Sequence, residues 1–195
     1  DLVGAELRFG TAGLRAPLGR GPNRMKRLVV RHAATALAEH LLDRFDGQLL
    51  VVVGHDARHG SADFARDATE VLTAHGIDVA RFDGPVPTPL AAGAVRDLGA
   101  LAAIVVTASH NPAADNGLKV YAADGAQIVP PTDQDIARRM LQLSRGERRP
   151  TAGSNGSTGL VVELGGPRSG GEVVARYLER VRAVTHGRTP VGVRV

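Results

Sequence analysis

Apolar residues along this chain alternate between two kinds of pattern. Gln48–Val53 and Leu101–Val106 are short, nearly unbroken apolar runs, and Ile77–Phe82 is a third short strand-like segment interrupted by Asp78 and Arg81. Such runs predict strands buried on both faces. The segments between them follow the helical period instead. Met25–Asp43 places Leu28, Val29, Ala33, Ala36, Leu37 and Leu41 on one stripe. Ser61 stands where an N-cap belongs, before a helix whose apolar face is Phe64, Ala68, Val71 and Leu72. Pro87–Leu98 is a shorter helix approached through a Pro-rich turn. Strand–helix–strand units of this spacing predict a largely parallel sheet with right-handed crossovers and helices on both faces. Ligands of such sheets sit outside the carboxyl ends of the strands.

The second half is less regular. Val120-Tyr121 and Gln127–Val129 read as short strands around the Asp124-Gly125 turn, and Asp133–Ser144 as a helix. Gly146–Gly171, rich in Gly, Ser and Thr, reads as a long loop with one short apolar run at Leu160–Leu164. Glu172–Val184 returns to the helical period, and Pro190–Val195 begins a strand. No internal repeat is visible.

The length, 195 residues, suits one large domain or one domain plus a fragment. No apolar run reaches the roughly 20 residues of a membrane helix. Cysteine is absent, which excludes disulfides and thiolate metal sites and is in keeping with a cytoplasmic protein. The net charge of +4 is modest but unevenly placed. Leu7 to Ala38 holds no Asp or Glu, yet contains Arg8, Arg15, Arg20, Arg24, Lys26, Arg27 and Arg31. An acid-free basic stretch favours an anionic ligand, although a solvated basic face has the same composition. Two tyrosines, four phenylalanines and no tryptophan leave little for base stacking, which disfavours nucleic acid as that anion.

The chemistry concentrates where the Ala103–Val106 run stops, at Thr107-Ala108-Ser109-His110-Asn111-Pro112. The strand thus delivers a hydroxyl, an imidazole and an amide to the sheet's ligand-binding edge. Pro112 stiffens the loop. Asn116-Gly117 reads as a second turn, followed by Lys119, one of only two lysines in the chain. Among so many arginines, a lysine here points to a need for a compact, mobile ammonium. Each residue also has a plainer reading. Ser109 can be a turn residue, His110 a structural donor, Asn111 and Asn116 loop braces, and Lys119 a surface charge. Upstream, Gly10 and Gly13 let the backbone approach an anion, and Arg15 can fork onto phosphate oxygens from a Gly-rich loop. His55 and His59 are four apart, but they lie in a loop with no third ligand in view. Asp56 and Arg58 read as a salt-bridged turn before the helix at Ser61. Asp115 and Asp124 are near the loop without a clear role. No G-x-S-x-G frame surrounds Ser109, which argues against a serine hydrolase.

Thr107–Pro112 followed by Asn116–Lys119 resembles the phosphoserine loop of the α-D-phosphohexomutases. Phe9–Arg15 with Asn23-Arg24-Met25 resembles their N-terminal signature, in the phosphoglucomutase/phosphomannomutase branch that also holds phosphopentomutases. Gly54–Arg58 resembles a third segment, and the three occur in the family's order. The resemblance implies a three-layer α/β/α sandwich with a mostly parallel mixed sheet. It implies domain I over residues 1–187, with 188–195 as the first strand of a truncated domain II. The expected activity is interconversion of sugar 1-phosphates and 6-phosphates of glucose or mannose. Ser109 is then the phosphoserine carrier, passing through a sugar 1,6-bisphosphate, with glucose 1,6-bisphosphate as activator. Lys119 and His110 join it as catalytic residues, with Arg15 beside the reacting hydroxyl. Thr11, Gly13, Arg15, Arg24, Asn111 and Asn116 are the implied phosphate-binding positions. The family's wording commonly continues with Asn where Lys26 stands, so no role carries over to that position.

The resemblance also implies Mg²⁺, held by Ser109 through its phosphate and by an Asp-Gly-Asp-x-Asp motif of domain II. That motif is absent here, as are the sugar-selecting and phosphate-docking loops of domains III and IV. The first residue is Asp1, not Met, and the expectation is a piece of a longer chain, inactive alone, whose partners are a phosphosugar and domains II–IV. The alternatives are a phosphopentomutase, an amino-sugar phosphate mutase, or a phosphate-binding domain that has lost the chemistry.

Overall fold

The computed structural model describes residues 7, 13–21, 23–149 and 158–185. Six strands form one sheet in the order β1-β5-β4-β2-β3-β6. They are β1 (Leu14–Pro17), β2 (Leu50–His55), β3 (Asp78–Phe82), β4 (Ala102–Val106), β5 (Asp115–Ala122) and β6 (Val161–Leu164). The central β4-β2-β3-β6 run is parallel. β5 runs antiparallel to both β4 and β1, so five strands point one way and β5 the other. The helices are α1 (Arg27–Leu42), α2 (Ser61–Ala74), α3 (Thr88–Leu98), α4 (Thr132–Ser144) and α5 (Glu172–Thr185).

The unbroken apolar runs do fill both faces. On β2, Val51 and Val53 join α1, α2 and α4 residues such as Leu37, Leu72 and Ile136 in one core. Val52 joins Leu90 and Val95 of α3 and Val173 of α5 in the other. Sheet and helices thus form the expected α/β/α layers. Buried polar contacts fasten the larger layer. Asp67 of α2, its side chain 0% exposed, takes Arg27 at 2.7 Å and Arg31 at 3.0 Å from α1. His40 of α1 meets Asp135 of α4 at 2.7 Å.

Several elements differ from the sequence reading. Arg15 is not in a loop but within β1, opposite Gly117. Asn116-Gly117 is not a turn but part of the eight-residue β5. Here the Asn-Gly pair sits in an extended ladder, because β5 has strands on both sides to bond with. The region read as a loop before Gly171 contains β6, which pairs with β3 through Val79–Phe82. Four residues too short to show a period were enough, because β3 offered an open edge. Gln127–Val129 makes only an isolated bridge, Tyr121 to Gln127. Ser61 is the first residue of α2 rather than its cap, and Gly60 in the left-handed region precedes it. Leu28 is 54% exposed and not in the core stripe. Pro190–Val195 and the proposed boundary at 187/188 lie outside the described residues. Among the described residues, no helix is long and apolar enough to cross a membrane.

Candidate active site

Three loops meet at one edge of the sheet, those leaving the carboxyl ends of β1, β2 and β4. They are stitched to one another by backbone bonds. Leu18 N–H, just after β1, donates to Ala114 O at 3.0 Å. Asp56 N–H, just after β2, donates to Val106 O at 3.0 Å. The serine loop spans 107–114 between β4 and β5.

Ser109 is exposed at the crest of this loop. Its φ is +59°, the only positive φ at a non-glycine among the described residues. Side chains enter that region at a cost of about 1 kcal/mol or more. The turn is held locally, as Ser109 N–H donates to Thr107 Oγ1 at 2.9 Å and Asn111 N–H to Ala108 O at 3.1 Å. It is also held from a distance. Arg58 reaches 51 to 57 positions along the chain to four loop carbonyls. Nη2 donates to Ser109 O at 2.9 Å and Asn111 O at 2.7 Å. Nη1 donates to Pro112 O at 2.7 Å and Asp115 O at 3.0 Å. Nε faces Asp56 Oδ2 at 3.2 Å. The Asp56–Arg58 pairing read from sequence is therefore present. The carbonyl contacts were missed, because side-chain bonds to distant backbone have no sequence pattern.

Arg15 and Lys119 share a face of the sheet. Arg15 stands opposite Gly117, and Lys119 follows two residues along β5, so the strand period brings them together. Lys119 also lies opposite Val105, which packs on the α3 side. Gly13, at φ +85°, admits the lysine stem, since a Cβ there would stand 3.2 Å from Lys119 Cγ. Burial, and after it the nearby Arg15 guanidinium, holds the Lys119 ammonium below the ordinary lysine range. Arg15 Nη1 points to Asn111 Oδ1 at 3.4 Å, linking this pair to the serine loop.

The remaining predicted residues divide. His110 is exposed beside Ser109, and Asn111 is half-buried, donating to Asp115 Oδ2 at 2.9 Å. Asn116 is different. It is 0% exposed and donates to His59 O and Ser61 Oγ, each at 2.9 Å. A ligand has no route to it, so its geometry is that of a brace and not of a phosphate contact. Asp56 accepts from Ser61 Oγ at 2.7 Å, which explains why Ser61 does not cap α2. Arg20 is exposed and Arg24 half-buried, in the loop that follows β1. Lys26 is occupied in closing that loop, donating to Gly21 O at 2.9 Å. Thr11 lies outside the described residues. Asp124 receives Ala126 N–H at 2.8 Å and serves its own turn. Among the described residues, no group of three or more His, Asp or Glu is placed to hold a metal.

An α/β/α sandwich with an exposed serine on a braced loop, linked through Asn111 to Arg15, sets the class of fold and site with which known families can be compared. Residues 6–146 match the model described as phosphoglucomutase/phosphomannomutase, alpha/beta/alpha domain I. The chain belongs to this α-D-phosphohexomutase family and corresponds to its N-terminal domain. It is 44% identical over 138 residues to a phosphoglucomutase of Staphylococcus haemolyticus, covering 71% of this chain and 25% of that one. It is 42% identical over 136 residues to a phosphoribomutase of Saccharomyces cerevisiae, covering 68% and 22%. A Thermus thermophilus crystal structure described as a phosphomannomutase superposes with TM-score 0.70 at 34% identity, covering 92% of this chain and 36% of that one. The chain thus spans about a quarter of the length of these curated relatives.

Proposed function

We propose that this chain is the phosphoryl-carrier domain of a sugar-phosphate mutase, with Ser109 as the carrier. The observation that carries the reading is the exposed Ser109, held in a left-handed turn of a loop that Arg15 reaches through Asn111 Oδ1 at 3.4 Å. In the forward transfer, the serine Oγ–P bond breaks and a bond forms from phosphorus to a sugar hydroxyl oxygen. The hydroxyl proton goes to Lys119, whose depressed pKa raises its neutral, proton-accepting fraction, and the leaving Ser109 oxygen takes up a proton from water to become the free hydroxyl. Arg15 offers guanidinium N–H groups to the phosphoryl oxygens. The resulting sugar bisphosphate turns over and returns its other phosphate to Ser109. His110 stands at the rim, within the same turn.

The described residues do not make a Mg²⁺ site. A hard cation takes about six oxygens, and here only a phosphorylated Ser109 is placed to offer one. The ion belongs, in this reading, with residues of other domains, and no step above passes through it. Turnover by this chain alone is expected to be negligible.

The sugar is glucose or mannose phosphate in the leading version. A pentose phosphate is the second, supported by the phosphoribomutase among the relatives. The test is intact mass and peptide mapping of the full-length protein before and after glucose 1,6-bisphosphate. Phosphate at Ser109, lost in Ser109→Ala, is the expected result. A bare Ser109 under turnover conditions with Mg²⁺ would overturn the reading. Comparing glucose, mannose and ribose phosphates as substrates then selects the sugar.

A further inference from the structure

We infer that Arg58, outside the reacting group set, is the positioning residue that fixes the phosphoryl carrier. The inference rests on the mutase reading. The four Nη N–H groups donate to the carbonyls of Ser109, Asn111, Pro112 and Asp115, and Nε is ion-paired with Asp56 Oδ2 at 3.2 Å. Those carbonyls span the loop from its crest to the first residue of β5. A loop whose carbonyls converge on one point adopts a curled path, and the left-handed φ of Ser109 is part of that curl. Arg58 is itself fixed. Asp56 Oδ1 accepts its backbone N–H at 3.0 Å, and the Asp56 N–H is bonded to β4. The guanidinium therefore connects the end of β2 to the serine turn. Its positive charge also stands one carbonyl away from the residue that becomes a phosphate dianion.

Only an arginine supplies this pattern. A lysine has three N–H groups on a single nitrogen and cannot span four separated carbonyls. Arg58→Lys keeps the charge and most of the stem, but it loses the fork.

The experiment uses the full-length protein, with kcat and KM for glucose 1-phosphate, Ser109 phosphate by mass, and Tm. Arg58→Ala should lower kcat by about 100-fold, the scale of a misplaced reacting group, with KM little changed. Arg58→Lys should lower kcat at least about fivefold at an unchanged Tm. The Lys variant decides the matter if the Ala variant does not fold. Addition of guanidinium at non-denaturing concentration should raise the kcat of Arg58→Ala without raising its Tm, which a purely structural role would not produce. An Arg58→Lys enzyme with the parent kcat overturns the inference while leaving the mutase reading intact. An unsubstituted protein that never carries phosphate on Ser109 removes both.

Discussion

Adding one methyl group at Gly117 tests how tightly the site is built into the sheet. A Cβ there would lie 2.3 Å from Leu14 O and 2.7 Å from Thr107 O, with Arg15 Cγ at 3.1 Å. Carbon–oxygen contacts ordinarily begin at about 3.3 Å, so β1 must retreat by about 1 Å. Both close atoms are backbone, so no rotamer change relieves the clash. The first displaced strand carries Arg15, and the second displaced residue opens the serine loop. Overpacking of this kind costs about 1–3 kcal/mol. For a domain of this size, about 2 kcal/mol corresponds to a fall in Tm of roughly 4–8 °C. A reacting group moved by about 1 Å costs about 100-fold in rate. The assay pairs scanning calorimetry with coupled mutase kinetics on Gly117→Ala in the full-length protein. A kcat within about twofold of the parent, together with a Tm shift under about 1 °C, would refute the close approach of β1, β5 and Thr107 described above.

Other consequences can be measured alongside it. Ser109→Gly should be more stable than Ser109→Ala by about 1 kcal/mol in urea melts, because glycine enters the left-handed region freely; equal stabilities would mean that Ser109 is not strained. Lys119→Met should lower kcat by about 10²- to 10⁴-fold while leaving stability unchanged or raised. The sign follows from linkage. The native state holds the Lys119 proton less tightly than the unfolded chain, so its contribution to stability rises as pH climbs from the native pKa to the unfolded value. A Lys119→Met protein that melts well below the parent at neutral pH would contradict this. For Asp67, burial pushes the carboxyl pKa up, but Arg27 and Arg31 outweigh it and hold it below the usual range. Its stabilisation should be complete above the unfolded carboxylate value near 3.9 and fade as pH falls through the lower native value. Asp67→Asn should cost about 1–3 kcal/mol at pH 6 and flatten the acid limb of the urea-melt profile; an unchanged acid limb would assign that loss to other carboxylates.

The helices and the central strands were legible in the sequence because their patterns were long and two-sided. Val51–Val53 and Ile104–Val106 are apolar at every position, and the structure buries them on both faces. The serine loop was legible for the same local reason, since an apolar strand runs directly into Thr107–Pro112. What was not legible depended on partners far away in sequence. β6 exists because β3 had a free edge. Asn116-Gly117 carries a turn signature that two flanking strands override. Asn116 itself was expected at the phosphate and is fully buried against His59 O and Ser61 Oγ, since only the fold shows which face of β5 it occupies. Arg58 was recognised as half of a local ion pair, but its four carbonyl contacts depend on β2 and β4 lying side by side in the sheet.

The reversal of β5 has a mechanical consequence. The serine loop leaves β4 and re-enters the same sheet eight residues later, so both its ends are tied to adjoining, hydrogen-bonded strands. A tether that short, with its middle held by a guanidinium, has little freedom to swing. In the proposed reaction the carrier is therefore a stationary post, and exchanging one end of the sugar for the other falls to the sugar. The molecule that must rotate is the bisphosphate, and it must do so without diffusing away. The timing of catalysis would then depend less on loop motion than on how long the surrounding enclosure retains a tumbling, doubly phosphorylated intermediate.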